Sequence, residues 1–264
     1  MKVFTLRRAL GVAFVVCIST SMFAQGMYWE STTTVMGTEH KSQMYYLPKM
    51  FKTVGANPQG ESTSIVRLDQ SKMYMVNPTE KTYSEMSFEE LEGAMKKMGG
   101  QMDARMAEAQ KRLESMPPEQ RAMAEQMMSR MMNKGGSVPT EVEKTVETKT
   151  IIGLNCTKYL VKQGDKTLAT IWATQDLKEF SRMKEDFREF GRRMMAANPM
   201  MKGMQEGMQK VDGFPVQSEM EQGMKSLVTK VESRSIAAGE FNVPAGYKKV
   251  KSKLSEGMEK AEDK

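Results

Sequence analysis

At Ser87 the spacing of the apolar residues changes, and this change limits what the chain can fold into. Up to Met86 the sequence reads as short strands. Met27–Met36 (MYWESTTTVM) is rich in Thr and aromatic residues. Ser64–Asp69 alternates, with Ser64, Val66 and Leu68 on one face and Ile65, Arg67 and Asp69 on the other. Lys72–Val76 and Lys81–Met86 follow, set off by the turn signals Asp69-Gln70-Ser71 and Asn77-Pro78. Such spacing predicts an antiparallel meander. From Ser87 onward, Met95, Met98, Met102, Met106, Ala109, Leu113 and Met116 recur at steps of three and four. That is one apolar face of an α-helix. Ser87 and Glu90 form a capping box at its start. Gly99-Gly100 predicts a bend, and Pro117-Pro118 an end. A second helix then runs through Met123, Met127, Met128, Met131 and Met132 to Asn133–Gly136.

Strand composition returns at Thr140–Ile152. Asn155–Lys162 and Thr167–Thr174 flank a hairpin at Gln163–Lys166. Asp176 and Glu179 are expected to open another helix, with the stripe Leu177, Phe180, Met183, Phe187, Phe190 and Met194. Asn198-Pro199 restarts a short helix through Met201, Met204, Met208 and Val211. Gly213–Glu221 and Lys225–Ile236 are strands. Phe241–Tyr247 is an extended segment with a turn. The expected fold is α+β: a curved antiparallel sheet or incomplete β-barrel with two Met-rich helical segments packed on or over it. The expected layout is a signal peptide at 1–24, one domain at 25–250 with a helical insert at 87–133 and helices at 176–211, and a charged flexible tail at 251–264.

The signal peptide is read from Lys2, Arg7 and Arg8, then the apolar run Ala9–Thr20, then Ser21–Gln25 with cleavage after Ala24. The run is well short of the ~20 residues of a spanning helix, so no transmembrane segment is expected after cleavage. The protein is expected in the periplasm or outside the cell. The chain has 39 Lys+Arg against 33 Asp+Glu. Three of those basic residues lie in the signal, and no Lys/Arg-dense stripe remains to mark a nucleic-acid groove. Cys17 lies there too, so cleavage leaves Cys156 alone and excludes an internal disulfide.

Several segments occur in a recognisable order: Met73–Tyr83 (MYMVNPTEKTY), Ile151–Tyr159 (IIGLNCTKY), Ile171–Leu177 (IWATQDL), Gly213–Val216 (GFPV) and Phe241–Tyr247 (FNVPAGY). In this order, over about residues 27–250, the chain resembles the bacterial exported proteins of the domain of unknown function 4412 family. That family is distantly similar to lipoprotein-carrier (LolA/LolB-like) proteins and has no established activity. The carrier resemblance implies an incomplete antiparallel barrel covered by helices, with an apolar cavity for acyl chains.

The chain holds 29 Met, 2 Cys and 1 His. Three readings of the methionines compete. They fill core space as good helix formers. They form an adaptable surface for acyl chains or partner peptides. Or they bind Cu(I) as soft ligands, through Met127, Met128, Met131 and Met132 or Met200, Met201 and Met204. Cys156 reads as a small buried hydrophobe. A nucleophilic pair with His40 is its functional alternative, with His40 placed in an exposed turn between Glu39 and Lys41. Glu141, Glu143 and Glu147 alternate with Lys144 and Lys149 as a solvated face. No phosphate loop, nucleotide fingerprint, HExxH or G-x-S-x-G is present.

The expected function is therefore an exported, non-enzymatic binding protein for an apolar ligand, an acyl chain or lipid, or an envelope protein. The expected ligand-binding residues are Met95, Met98, Met102, Met106, Phe180, Phe187 and Phe190, with no resident metal or cofactor. A Met-rich Cu(I)-binding periplasmic protein is the alternative.

Overall fold

The computed structural model describes residues 23–57, 60–114, 117, 121, 140–195, 207, 209–221 and 223–252. Most of the expected signal, nearly all of the second helix of the insert, most of the short helix after Asn198 and most of the charged tail lie outside the described residues. The two proposed copper clusters lie outside them as well.

The described strands are β1 (Phe23–Val35), β2 (Thr38–Leu47), β3 (Met50–Asn57), β4 (Gly60–Arg67), β5 (Lys72–Asn77), β6 (Thr82–Ser87), β7 (Thr140–Ile151), β8 (Leu154–Gln163), β9 (Lys166–Thr174), β10 (Phe214–Met220), β11 (Lys225–Ala237) and β12 (Lys248–Lys249). Among the described residues two helices have defined bounds, α1 (Phe88–Glu114) and α2 (Phe180–Met195). All twelve strands belong to one sheet, in the order β12-β6-β5-β4-β3-β2-β1-β11-β10-β9-β8-β7. Pairings are antiparallel except β12 with β6, which is parallel. Among the described residues no helix is long and apolar enough to cross a membrane.

This corrects the α+β expectation. The molecule is mostly one large, open, mixed β-sheet, not a curved antiparallel sheet or incomplete barrel under two Met-rich helical segments. Two physical reasons account for the difference. Residues 38–57, which show no strong sequence period, form β2 and β3, and they carry His40 in β2 instead of a turn. The second expected helical segment has its described regular helix at Phe180–Met195, whose stripe carries three half-buried phenylalanines beside Met183 and Met194.

Register builds the core. Met27 pairs with Tyr46, Tyr46 with Phe51, Phe51 with Val66, Val66 with Met73, and Met73 with Met86. Because side chains alternate across a strand, these six form one continuous apolar row over six strands. All of them belong to, or pack against, the main core cluster. On alternate positions, Leu47, Ile65, Val76 and Ile236 form a separate cluster with Phe241. The segment 241–250 runs along that cluster and reaches β6, where Lys248 N–H donates to the Lys81 carbonyl at 2.9 Å and Val250 N–H to the Tyr83 carbonyl at 2.8 Å.

Gly26 permits the close approach of β1. A Cβ there would stand 2.4 Å from the Tyr46 carbonyl oxygen, 2.7 Å from Leu47 Cδ2 and 2.9 Å from Ile236 Cδ1. At the far end β7 pairs only with β8 among the described strands. It is studded with Glu and Lys, which discourage edge-to-edge association. Glu143 and Glu147 pair across to Lys162 and Lys158 on β8.

Candidate functional site

Helix α2 lies on the main core cluster. Phe180, Met183, Phe187, Phe190 and Met194 recur at steps of three and four, and together with Leu177 all pack in that cluster. Their partners are aromatic. Phe187 meets Phe51 at a centroid distance of 4.6 Å. Phe180 meets Phe214 edge-on at 5.6 Å, and Phe214 meets Trp29 edge-on at 5.6 Å. Phe190 packs on Phe88 of α1 at 6.2 Å.

A buried charge fixes the helix. Asp186 is only 3% exposed. It accepts from the Tyr46 hydroxyl at 2.9 Å and from the Lys49 backbone N–H at 2.7 Å. The Lys49 ammonium stands 2.8 Å from its other oxygen. Burial alone would push the Asp186 carboxyl up, but these donors outweigh it and hold it below the ordinary carboxylate value. Burial and the bond to Asp186 push the Tyr46 phenol well up. Lys49 also bridges to Glu189 at 2.7 Å, and Glu189 to Arg193 at 2.7 Å. The Arg193 guanidinium lies 5.0 Å over the Phe88 ring. One turn of chain between β2 and β3 is thus tied to two successive turns of α2.

The expected opening of this helix by Asp176 and Glu179 is realised differently. Asp176 accepts from the Asn155 N–H at 2.9 Å, and Glu179 from the Ser233 hydroxyl at 2.7 Å. Both carboxylates tether the approach to the helix onto strands β8 and β11. Regular helix begins after them, at Phe180.

Between α2, the sheet and the segment 209–215 lies a cleft of about 440 Å³. That size falls in the range of small-molecule sites. Trp29 and Met44 contribute from the sheet, Phe180, Met183, Phe187 and Phe190 from α2, and Val211, Phe214 and Pro215 from the third wall. The third wall is held in place by several bonds. Lys184 donates to the Val211 carbonyl at 3.0 Å and Tyr159 to the Asp212 carbonyl at 3.0 Å, and Gln175 bonds the Asp212 carboxylate. Gly213 turns the chain at φ +113°, where a Cβ would stand 2.4 Å from the Thr174 carbonyl oxygen.

Of the expected ligand-binding residues, the structure brings Phe180, Phe187 and Phe190 together at this cleft. Met95, Met98, Met102 and Met106 are elsewhere, along α1. The side chains of Met95, Met98 and Met102 lie outside the described ones. Met106 is half-buried and does not line the cleft. Sequence reasoning missed Trp29, Met44 and the wall at 211–215. The Gly213-Phe214-Pro215 triplet was a visible signal, because glycine allows a turn at positive φ and proline fixes its own backbone angle beside the aromatic.

Cys156 is fully buried in β8, its thiol donating to the Leu154 carbonyl at 3.5 Å, and burial pushes that thiol up. His40 is in β2, and four strands separate β2 from β8 in the sheet. The two side chains do not form a pair. Among the described residues no group of three or more His, Cys, Asp or Glu side chains is arranged to hold a metal ion.

No curated protein matches the chain. Among solved structures, PNGF-II aligns with 89% of this chain at 10% identity and a TM-score of 0.38, and the chain spans about a third (32%) of its length. An uncharacterised conserved protein from Thermus thermophilus aligns with 86% of this chain and 90% of its own at 7% identity and a TM-score of 0.43. Similarity at that level carries no argument about fold or function. The family match does not reach the Met73–Tyr83 segment and lies beyond the helical insert: residues 137–247, which include helix α2, match the family described as Domain of unknown function (DUF4412).

Proposed function

We propose that this is an exported, non-enzymatic binding protein that holds an acyl chain in the cleft between α2 and the sheet. The observation that carries the reading is the lining of the cleft. Four phenylalanines, a tryptophan, two methionines and Val211 converge there with few polar groups. An apolar concavity with a small number of placed polar atoms is the usual form of a site for an apolar ligand. The walls are braced by hydrogen bonds to backbone and by the Asp186 network, so binding would not have to order them first. The signal-like N-terminus and the resemblance to lipoprotein carriers point to the same class of ligand and to an extracytoplasmic location.

The reading is tested by native mass spectrometry of the protein purified from the envelope fraction under mild conditions. An added mass matching an acyl lipid, lost in Phe187→Ser, is the expected result. A bare mass that also fails to shift on addition of laurate would overturn it.

A further inference from the structure

We infer that the cleft takes a single-chain fatty acid and holds its carboxylate at Lys184; this rests on the acyl-chain reading above. The lining includes two cations, Lys184 and Arg188, and no Asp or Glu. The two cations are not equivalent. Arg188 is matched already, its guanidinium donating to both oxygens of Glu185 at 3.0 and 3.1 Å. Lys184 is half-buried, and among the described residues its hydrogen-bond partner is the neutral Val211 carbonyl at 3.0 Å, with no carboxylate paired to it. An ammonium has three donors, so this one keeps donor capacity for a ligand.

Position supports the assignment. Lys184 follows Met183 and precedes Phe187 by three, so its stem borders the apolar stripe of α2. Its head reaches across to the opposite wall at Val211. A chain lying against Phe180, Phe187 and Phe214 would place a terminal carboxylate at Lys184, the cation of the lining with no anion beside it among the described residues. The bond to Val211 is charged on the donor side alone; a carboxylate acceptor adds the attraction between opposite charges, which is stronger in a partly desolvated cleft than in water.

Isothermal titration calorimetry with laurate and with 1-dodecanol, which share one chain length, tests this on the purified protein at pH 8. Laurate is expected to bind about tenfold tighter than dodecanol, as a charge-assisted bond predicts. Lys184→Gln should bring that ratio close to one, and Lys184→Arg should keep it. Equal binding of acid and alcohol by the unaltered protein, or an unchanged ratio in Lys184→Gln, would overturn the headgroup assignment and leave the cleft reading standing. Preference for dilauroyl phosphatidylcholine over laurate would overturn the single-chain choice. Binding of none of the three by folded protein would overturn both readings. Circular dichroism checks each variant, and the unaltered protein with Lys184→Arg decides the matter if Lys184→Gln does not fold.

Discussion

The two helices carry apolar stripes of the same period, and among the described side chains the two stripes are packed to different extents. Helix α2 has 16 residues, and its stripe is packed from Phe180 to Met194. Helix α1 has 27 residues and buries Phe88, Leu91 and Ala94 in its first turns. Beyond Ala94, the described side chains are exposed except for Met106 and Leu113, which are half-buried. A Cβ built at Gly93, Gly99 or Gly100 would meet nothing within 4 Å. A stripe therefore states that a helix has an apolar side, not that the fold supplies a surface for it. Helix α2 has that surface in the Met27–Tyr46–Phe51–Val66 row. It also has a buried carboxylate whose partners sit on the β2–β3 turn.

The largest effect should come from removing a stripe residue where the surface exists. Phe187→Ala should cost about 3 kcal/mol, the low end of the range for truncating a packed aromatic, because Phe187 is half-buried at the cleft. Chemical denaturation would measure it, and a loss comparable to that of Met106→Ala would erase the contrast. Asp186→Ala comes next, at about 3 kcal/mol, because it strands the Tyr46 hydroxyl and the Lys49 N–H that it now satisfies. The pH dependence has a definite sign. The carboxyl of Asp186 is held below its unfolded value. Its contribution is then full above the unfolded value of about 3.9 and is lost as pH falls through the folded one. Asp186→Asn should flatten the acid limb of a stability–pH curve, and an unchanged limb would remove Asp186 from the account.

Gly26→Ala should cost about 1–3 kcal/mol by forcing β1 off the Tyr46 carbonyl and Leu47. A neutral result would mean that the strand has slack the geometry does not show. Ser87→Ala should cost about 1 kcal/mol. Ser87 N–H donates to Glu90 at 2.7 Å, and Glu90 N–H to the Ser87 hydroxyl at 3.0 Å, so both halves of the capping box are present. Met106→Ser should stay within about 0.5 kcal/mol, the range of surface changes. A larger loss would show that the outer length of α1 has a docking surface after all.

What the sequence made legible follows from where the physics is local. The capping box is a contact between residues three apart, and it appears as read. The stripe of α2 and the hairpin between β8 and β9 are also set within one or two turns of chain. Helix α1 runs unbroken through Gly99-Gly100, because a glycine pair permits a bend without imposing one. β2 and β3 escaped because their apolar positions, such as Tyr46 and Phe51, are spaced among polar residues and make sense only across the sheet. The same holds for the cleft. Phe180, Phe187 and Phe190 could be picked from the stripe, but Trp29 and Phe214 come from β1 and β10, and only register brings them to α2. The α+β expectation failed for a related reason. Two stripes were weighed alike, and among the described residues a partner row is seen for the α2 stripe alone.

Hydrogen–deuterium exchange of the purified protein, with and without laurate, tests the central claim most directly. Opening free energies differ between regions of a protein, and exchange reads them amide by amide. The account predicts that laurate slows exchange in Phe180–Gly191 and across 209–215 and leaves the length of α1 beyond Ala94 unchanged. Protection that appears along α1 instead, or no change at α2 under saturating laurate, would contradict it.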